Sequence, residues 1–198
     1  MTKYFLGCDP DIHNLSFFLI DEMNNVQGIW MVKEKSRYKG QKGRESARIM
    51  ATAGMRRFIQ ALDDDILDSV CGIAVEGQNV TYTAQKGVNP QCIVDLSCVA
   101  GATISILSAL MPNAKVYFPA PSEWKGTIPK HVKQFRVMRS LDMNYEKKGG
   151  KKPYPVPHRE QWSSKSFGPD KINPGDWADV ADSAGLALFA KDQFLKEK

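Results

Sequence analysis

A chain of 198 residues, 42% of them hydrophobic and 25% charged, suits one soluble globular domain with a full core. Its net charge of +5 is unevenly spread: from Lys115 to Lys171 thirteen Lys/Arg face five Asp/Glu, a local +8 that leaves the remainder at −3. That split predicts a polyanion-binding face on a neutral-to-acidic body, with a solvated lysine-rich loop as the plainer alternative.

In chain order, Lys3–Cys8 and Leu15–Ile20 are short apolar runs rich in aromatic and branched residues, joined by turn residues at Pro10-Asp11 and His13-Asn14. They read as a hairpin. After a polar turn at Asp21–Gln27, Gly28–Val32 adds a third strand, so the chain opens as a meander. Arg44 to Leu62 carries apolar residues at helical spacing. Asp63-Asp64-Asp65 then reads as a solvated turn rather than a metal site. Val70–Val75 is a fourth strand, and Gly77–Pro90 a loop. Gln91–Met111 reads as a core helix with Pro90 in its first turn, and its small residues suit a close helix or dimer contact. Lys115–Phe118 is a fifth strand. Pro129–Leu141 reads as a short helix with Val132, Phe135 and Met138 on one face. Asn144–Gly175 shows no periodicity and reads as a long loop. A last helix starts near Asn173–Asp176, with Trp177, Ala181, Ala184 and Leu188 as its buried stripe. A meander followed by βαβ crossovers describes an α/β fold with a mixed five-stranded sheet flanked by helices, the ribonuclease-H-like arrangement. One domain spans residues 1–198, with a basic, partly flexible insertion at about 120–175.

Cys8, Cys71, Cys92 and Cys98 form no CxxC pair and read as small buried hydrophobes in a reducing compartment. His13, His131 and His158 sit at no zinc-ligand spacing to them. The start of the chain has no signal-peptide pattern, and the longest apolar stretch, Val99–Met111, is too short to span a bilayer. The expectation is a cytoplasmic protein with no membrane partner.

Carboxylates sit at the ends of the rigid elements. Tyr4-Phe5-Leu6-Gly7-Cys8-Asp9-Pro10 climbs to one aspartate at the end of a strand, where open α/β sheets hold their chemistry. Ile73-Ala74-Val75-Glu76 does the same, and Glu is depleted in strands. Asp179 and Asp182, three apart on the last helix, share a face. Each has a duller role: an Asx-turn for Asp9, a capping arrangement for Asp179, a surface charge for Asp182. Together they suit hard divalent cations, which take oxygen ligands and in pairs drive phosphodiester displacement.

Gly7-Cys8-Asp9-Pro10, Ala74-Val75-Glu76-Gly77-Gln78 and Asp179-Val180-Ala181-Asp182-Ser183-Ala184 resemble, in order and separation, the three acidic motifs of RuvC-type Holliday-junction resolvases, and the chain is similar to phage-encoded members. The resemblance implies a homodimer that binds four-way and other branched DNA and nicks two strands symmetrically, leaving 5′-phosphate ends. It implies two Mg²⁺ or Mn²⁺ ions held by Asp9, Glu76, Asp179 and Asp182. Lys125, in Pro121-Ser122-Glu123-Trp124-Lys125-Gly126, and Lys130 match catalytic basic residues near the scissile phosphate, though more loosely. Further DNA contacts are expected from Lys133, Arg136, Arg139, Lys147, Lys148, Lys151 and Lys152. Where bacterial members often carry an aromatic wedge this chain has Asn79, and the nearest aromatic is Tyr82. A phage-encoded protein of this kind would work in the host cytoplasm. Two other readings stand beside this one: a non-catalytic branched-DNA-binding protein, and an actin-like or sugar-kinase-like ATPase. For the ATPase, Gly7–Asn14 lacks the expected Gly and Ser/Thr pattern.

Overall fold

Asp11 sets the first turn: its side-chain oxygen accepts the His13 amide at 3.0 Å, and its own amide reaches the Asn14 carbonyl at 2.8 Å. This turn joins strands β1 (Tyr4–Pro10) and β2 (Asn14–Asp21), which pair antiparallel from Tyr4↔Asp21 to Pro10↔Leu15. Asp21 builds the second turn, accepting the amides of Met23 and Asn25 and the side chains of Asn25 and Gln27 at 2.8–2.9 Å. Strand β3 (Val26–Lys33) completes the meander. The computed structural model describes residues 2–34, 44–62, 64–77, 90–141, 145–147, 155–157, 172–173 and 175–197.

The segment expected as one helix from Arg44 is three consecutive pieces: α1 (Arg44–Ile49), a π-helical turn (Met50–Gly54) and α2 (Met55–Gln60). Met50, Met55 and Phe58 point into the core, where Phe58 stacks on Phe17 with ring centroids 3.5 Å apart. The acidic turn is itself helical: α3 (Asp64–Leu67) holds Asp64 and Asp65 exposed in its first turn, while Asp63 lies outside the described residues. Strand β4 (Val70–Val75) runs parallel beside β1, helix α4 (Pro90–Leu110) crosses over, and β5 (Lys115–Tyr117) runs parallel beside β4. The sheet order β3-β2-β1-β4-β5 is the mixed five-stranded sheet expected from the sequence.

β1 is central, with both faces covered, and so reads as a nearly continuous apolar run. Leu6 and Cys8 face a cluster with Met50, Met55, Phe58, Val99 and Leu107. Phe5 faces the other way, into a cluster with Val137, Met138, Val180, Ala181 and Ala184. That second layer is made by α5 (Pro121–Lys125), α6 (Lys130–Ser140) and α7 (Trp177–Lys196).

Four expectations need correction. Helix α5 falls in a stretch to which the sequence reading assigned no element; Pro121 at its first position and Glu123, whose carboxylate accepts the Ala120 amide at 2.5 Å, start it. On α6 the buried residues are Gln134, Val137 and Met138, whereas Phe135 is exposed. Within 144–175 a two-stranded ladder pairs β6 (Tyr145–Lys147) with β7 (Pro155–Pro157). Cys8 is buried, but Cys92 and Cys98 are exposed on α4, because only one face of that helix, with Asp95, Val99, Ala100, Thr103 and Leu107, is covered. By length and composition α4 is also long and apolar enough to cross a membrane, with mean hydropathy 1.9; its covered face packs on the sheet.

Candidate active site

The site begins with the register of two parallel strands. Cys8 pairs with Val75, and the Glu76 amide donates to the Cys8 carbonyl at 3.1 Å. Asp9 and Glu76 are therefore neighbours at the carboxyl ends of adjacent central strands, where an open α/β sheet presents its chemistry. Helix α7 supplies the other two acids, and its approach depends on Gly7. A Cβ there would lie 2.0 Å from the Ser183 carbonyl oxygen and 2.3 Å from the Ala187 nitrogen, so only glycine permits the contact. The hydroxyls of Ser16 and Ser183, 2.9 Å apart in the same buried layer, tie the helix to β2. Asp179 and Asp182, in the first two turns of α7, are thereby brought close enough for their charges to act on Asp9.

The electrostatics record the crowding. Burial first, then the charges of Glu76, Asp182 and Asp179, push the Asp9 carboxyl well above the usual range, against the pull of Lys125. The Asp179 carboxyl is pushed up to about 6 by burial; Lys130 opposes this, and Asp11, Asp182 and Asp176 add to it. Burial and like charge thus raise two of the four carboxyls, Asp9 and Asp179.

Two ammonium groups answer that charge. Lys125 Nζ lies 2.7 Å from Glu76 Oε1 and 3.2 Å from Asp182 Oδ2, with 16% of its side chain exposed. Lys130 Nζ lies 2.6 Å from the same Asp182 oxygen but is 53% exposed. Burial works against the Lys130 charge, yet the charge and hydrogen bond of Asp182, with the charges of Asp9 and Asp179, together outweigh it and the ammonium is pushed up to about 12. The Lys125 ammonium is raised in the same way, burial being outweighed by Asp182, Glu76 and Asp9. Two neutral donors complete the set: Gln134 Nε2 bridges Asp182 Oδ1 and the Ala178 carbonyl at 3.0 Å each, and the Trp124 indole donates to Glu76 Oε1 at 3.0 Å.

A surplus of carboxylates from two strand ends and a helix start is the donor chemistry of a hard divalent cation, and the raised Asp9 and Asp179 carboxyls mark the charge such a cation would neutralise. Among the described residues, no three His, Cys, Asp or Glu side chains are drawn together closely enough to form a metal cage. The acids share a site whose present counter-charges are lysines.

No family model and no curated protein matches the sequence. Solved structures do match. Thermus thermophilus RuvC in complex with a Holliday junction substrate superposes with a TM-score of 0.55 at 15% identity, covering 98% of this chain and 95% of that one. A second Thermus thermophilus RuvC structure gives 0.51 at 14% identity over the same shares. The fold is RuvC-like.

On this RuvC-like frame the residues singled out from sequence divide into three groups. Asp9, Glu76, Asp179, Asp182, Lys125 and Lys130 come together as described. Lys133, Arg136 and Arg139 lie along α6, Lys133 half-buried and both arginines exposed. Lys147 falls in β6, while Lys148, Lys151, Lys152 and Tyr82 lie outside the described residues. Sequence reasoning missed Trp124 and Gln134. Gln134 had one available signal, a polar residue at helical spacing before Val137 and Met138 on an apolar face. Trp124 had none beyond its place next to Lys125.

Proposed function

We propose that this protein is a divalent-metal-dependent endonuclease that resolves Holliday junctions and related branched DNA by paired symmetric nicks. The observation that carries the reading is the meeting of Asp9, Glu76, Asp179 and Asp182, from two strands and a helix, with Lys125 and Lys130 reaching into the same corner. The RuvC-like fold adds to it, since one similar structure is a RuvC bound to a Holliday junction substrate.

The four acids would hold the cation, Mg²⁺ or Mn²⁺ and two ions in the full reading. When bound, it would supply Lewis-acid chemistry, lowering the pKa of water and stabilising the leaving oxygen. The residues themselves do the positioning. Glu76 and Asp9 sit on strand ends, and Asp182 is fixed by Gln134 and both lysines. A shift of about 1 Å in such groups costs on the order of 100-fold in rate. Lys125 and Lys130 leave the acids to take the non-bridging oxygens of the scissile phosphate. Water adds across the P–O3′ bond: its hydroxyl goes to phosphorus and a proton to the departing oxygen, giving 5′-phosphate and 3′-hydroxyl ends.

The DNA arms run over α6. Lys133 and Arg136 line a groove between α5, α6 and α7 with Trp124, Leu188 and Phe189 in its wall. For Lys147, Lys148, Lys151, Lys152 and Tyr82 the assignment to DNA contact rests on the sequence resemblance alone. The homodimer uses the uncovered face of α4, where Val94 is exposed and a Cβ on Gly101 would meet nothing within 4 Å. Localisation is cytoplasmic.

A second reading, a branched-DNA-binding protein without catalysis, draws on the lysine counter-charges and the lack of a closed cage among the described residues. An end-labelled four-way junction incubated with Mg²⁺ or with EDTA separates the two. Nicks at matching positions on opposing strands, dependent on Mg²⁺, support the nuclease. A bound but intact junction under both conditions sinks it in favour of the second reading.

A further inference from the structure

We propose that Trp124 is a positioning residue for the acid cluster, setting the orientation of Glu76 toward a divalent cation; the inference rests on the nuclease reading. Trp124 is 5% exposed and touches residues of three elements of the site. Its indole N–H donates to Glu76 Oε1 at 3.0 Å, just beyond β4. The Lys125 ammonium lies 4.5 Å from its ring centroid, on α5. Its ring edge seats on Gly185 of α7, one turn after Asp182, where a Cβ would be 2.3 Å from Cζ3.

A glutamate has three rotatable side-chain bonds, and a carboxylate facing an ammonium alone can swing with it. Indole nitrogen is a donor only, so its bond to Glu76 holds an acceptor oxygen in place and restrains the swing of the carboxylate. Both Trp124 and Lys125 take the same oxygen, Oε1. With Oε1 taken by both, Oε2 is the oxygen that would meet a cation. Donors behind a metal-ligating group typically change metal affinity by about 10–100-fold when removed.

Trp124→Phe keeps the ring, its seat on Gly185 and its face to Lys125, and deletes the donor. Calorimetric titration of the metal-free protein with Mn²⁺ should show affinity reduced about tenfold, with circular dichroism and Tm near wild type. In a Glu76→Gln background the same substitution should change Mn²⁺ affinity no further, because Trp124 acts through Glu76. Equal Mn²⁺ affinity in wild type and Trp124→Phe, or an equal loss in both backgrounds, overturns the inference while leaving the nuclease reading intact. A wild-type protein that binds no Mn²⁺ overturns both. Where Trp124→Phe fails to fold, the wild-type ¹⁵N-indole resonance with cross-peaks to Gly185 decides: it should shift on Mg²⁺ addition, and an unmoved resonance at saturating Mg²⁺ overturns the inference.

Discussion

Gly7 and Ser183 meet so closely that a single added carbon on Gly7 would lie 2.0 Å from the Ser183 carbonyl oxygen. This contact sets how near α7 comes to β1, and with it how near Asp179 and Asp182 come to Asp9. The atom in the way is backbone, which has no rotamer escape. Gly7→Ala is expected to cost about 3 kcal/mol or more through overpacking. It should also lower junction cleavage by more than the folded fraction falls, because it displaces two of the four acids. Urea unfolding beside cleavage measured on the folded population checks both. Cleavage that falls only in step with folding would show that the contact is structural alone.

The acids should trade stability for function. Asp179 titrates at about 6 in the fold, against roughly 3.9 for an unperturbed aspartate. Its pKa is raised, so its relative contribution to stability is complete below about pH 3.9 and lost as pH rises through about 6. Asp179→Asn removes the charge that burial penalises. The variant should melt above wild type at pH 7.5, and the gap should narrow as pH falls toward 4, on the order of the unperturbed value. Asp9→Asn should likewise gain stability at neutral pH, lose cleavage by about 100-fold or more, and still bind a junction. Retained cutting by Asp9→Asn removes it from the site.

Lys125 and Lys130 should differ in weight. Removing the well-buried partner leaves Glu76 and Asp182 short of a counter-charge, so Lys125→Met should cost about 3 kcal/mol in metal-free buffer. Lys130 is half exposed, and Lys130→Met should cost about 1 kcal/mol or less. Mg²⁺ should restore more stability to Lys125→Met than it adds to wild type, since it replaces the missing charge. Melting curves with EDTA and with Mg²⁺ test this, and identical metal-induced shifts in the two proteins would contradict it.

The meander and the acid positions were legible because both are local. Short apolar runs rich in aromatic and branched residues, with turn residues between them, mark β1 to β3, and each acid lies at the end or in the opening turns of a rigid element. Trp124 was not legible, because its partner Glu76 is 48 residues away and the pairing exists only after α5 docks. The face of α6 was ambiguous by spacing: Val132, Phe135 and Met138 fit a helical stripe as well as Gln134, Val137 and Met138 do. Asp182 settles it by drawing Gln134 inward at 3.0 Å, which turns Phe135 toward solvent. Cys92 and Cys98 misled because residue type predicts burial only on average, and the uncovered face of α4 is a tertiary outcome. The two lysines were expected at a phosphate and are found on the acids, a pairing that their charge alone does not reveal.

The basic face of α6 should be visible in the salt dependence of binding. Arg136 and Arg139 are exposed and Lys133 is half-buried, all on the helix that carries Lys130 and Gln134. Each phosphate contact contributes about −0.9 to the slope of log binding constant against log salt on duplex DNA. Arg136→Ala and Arg139→Ala should each flatten that slope by about this amount on a four-way junction. Because a phosphate contact carries no base information, affinity for junctions of different sequence should fall uniformly. Electrophoretic titrations at several salt concentrations measure both quantities. Unchanged slopes would move the DNA path off α6 and onto the rest of the basic segment.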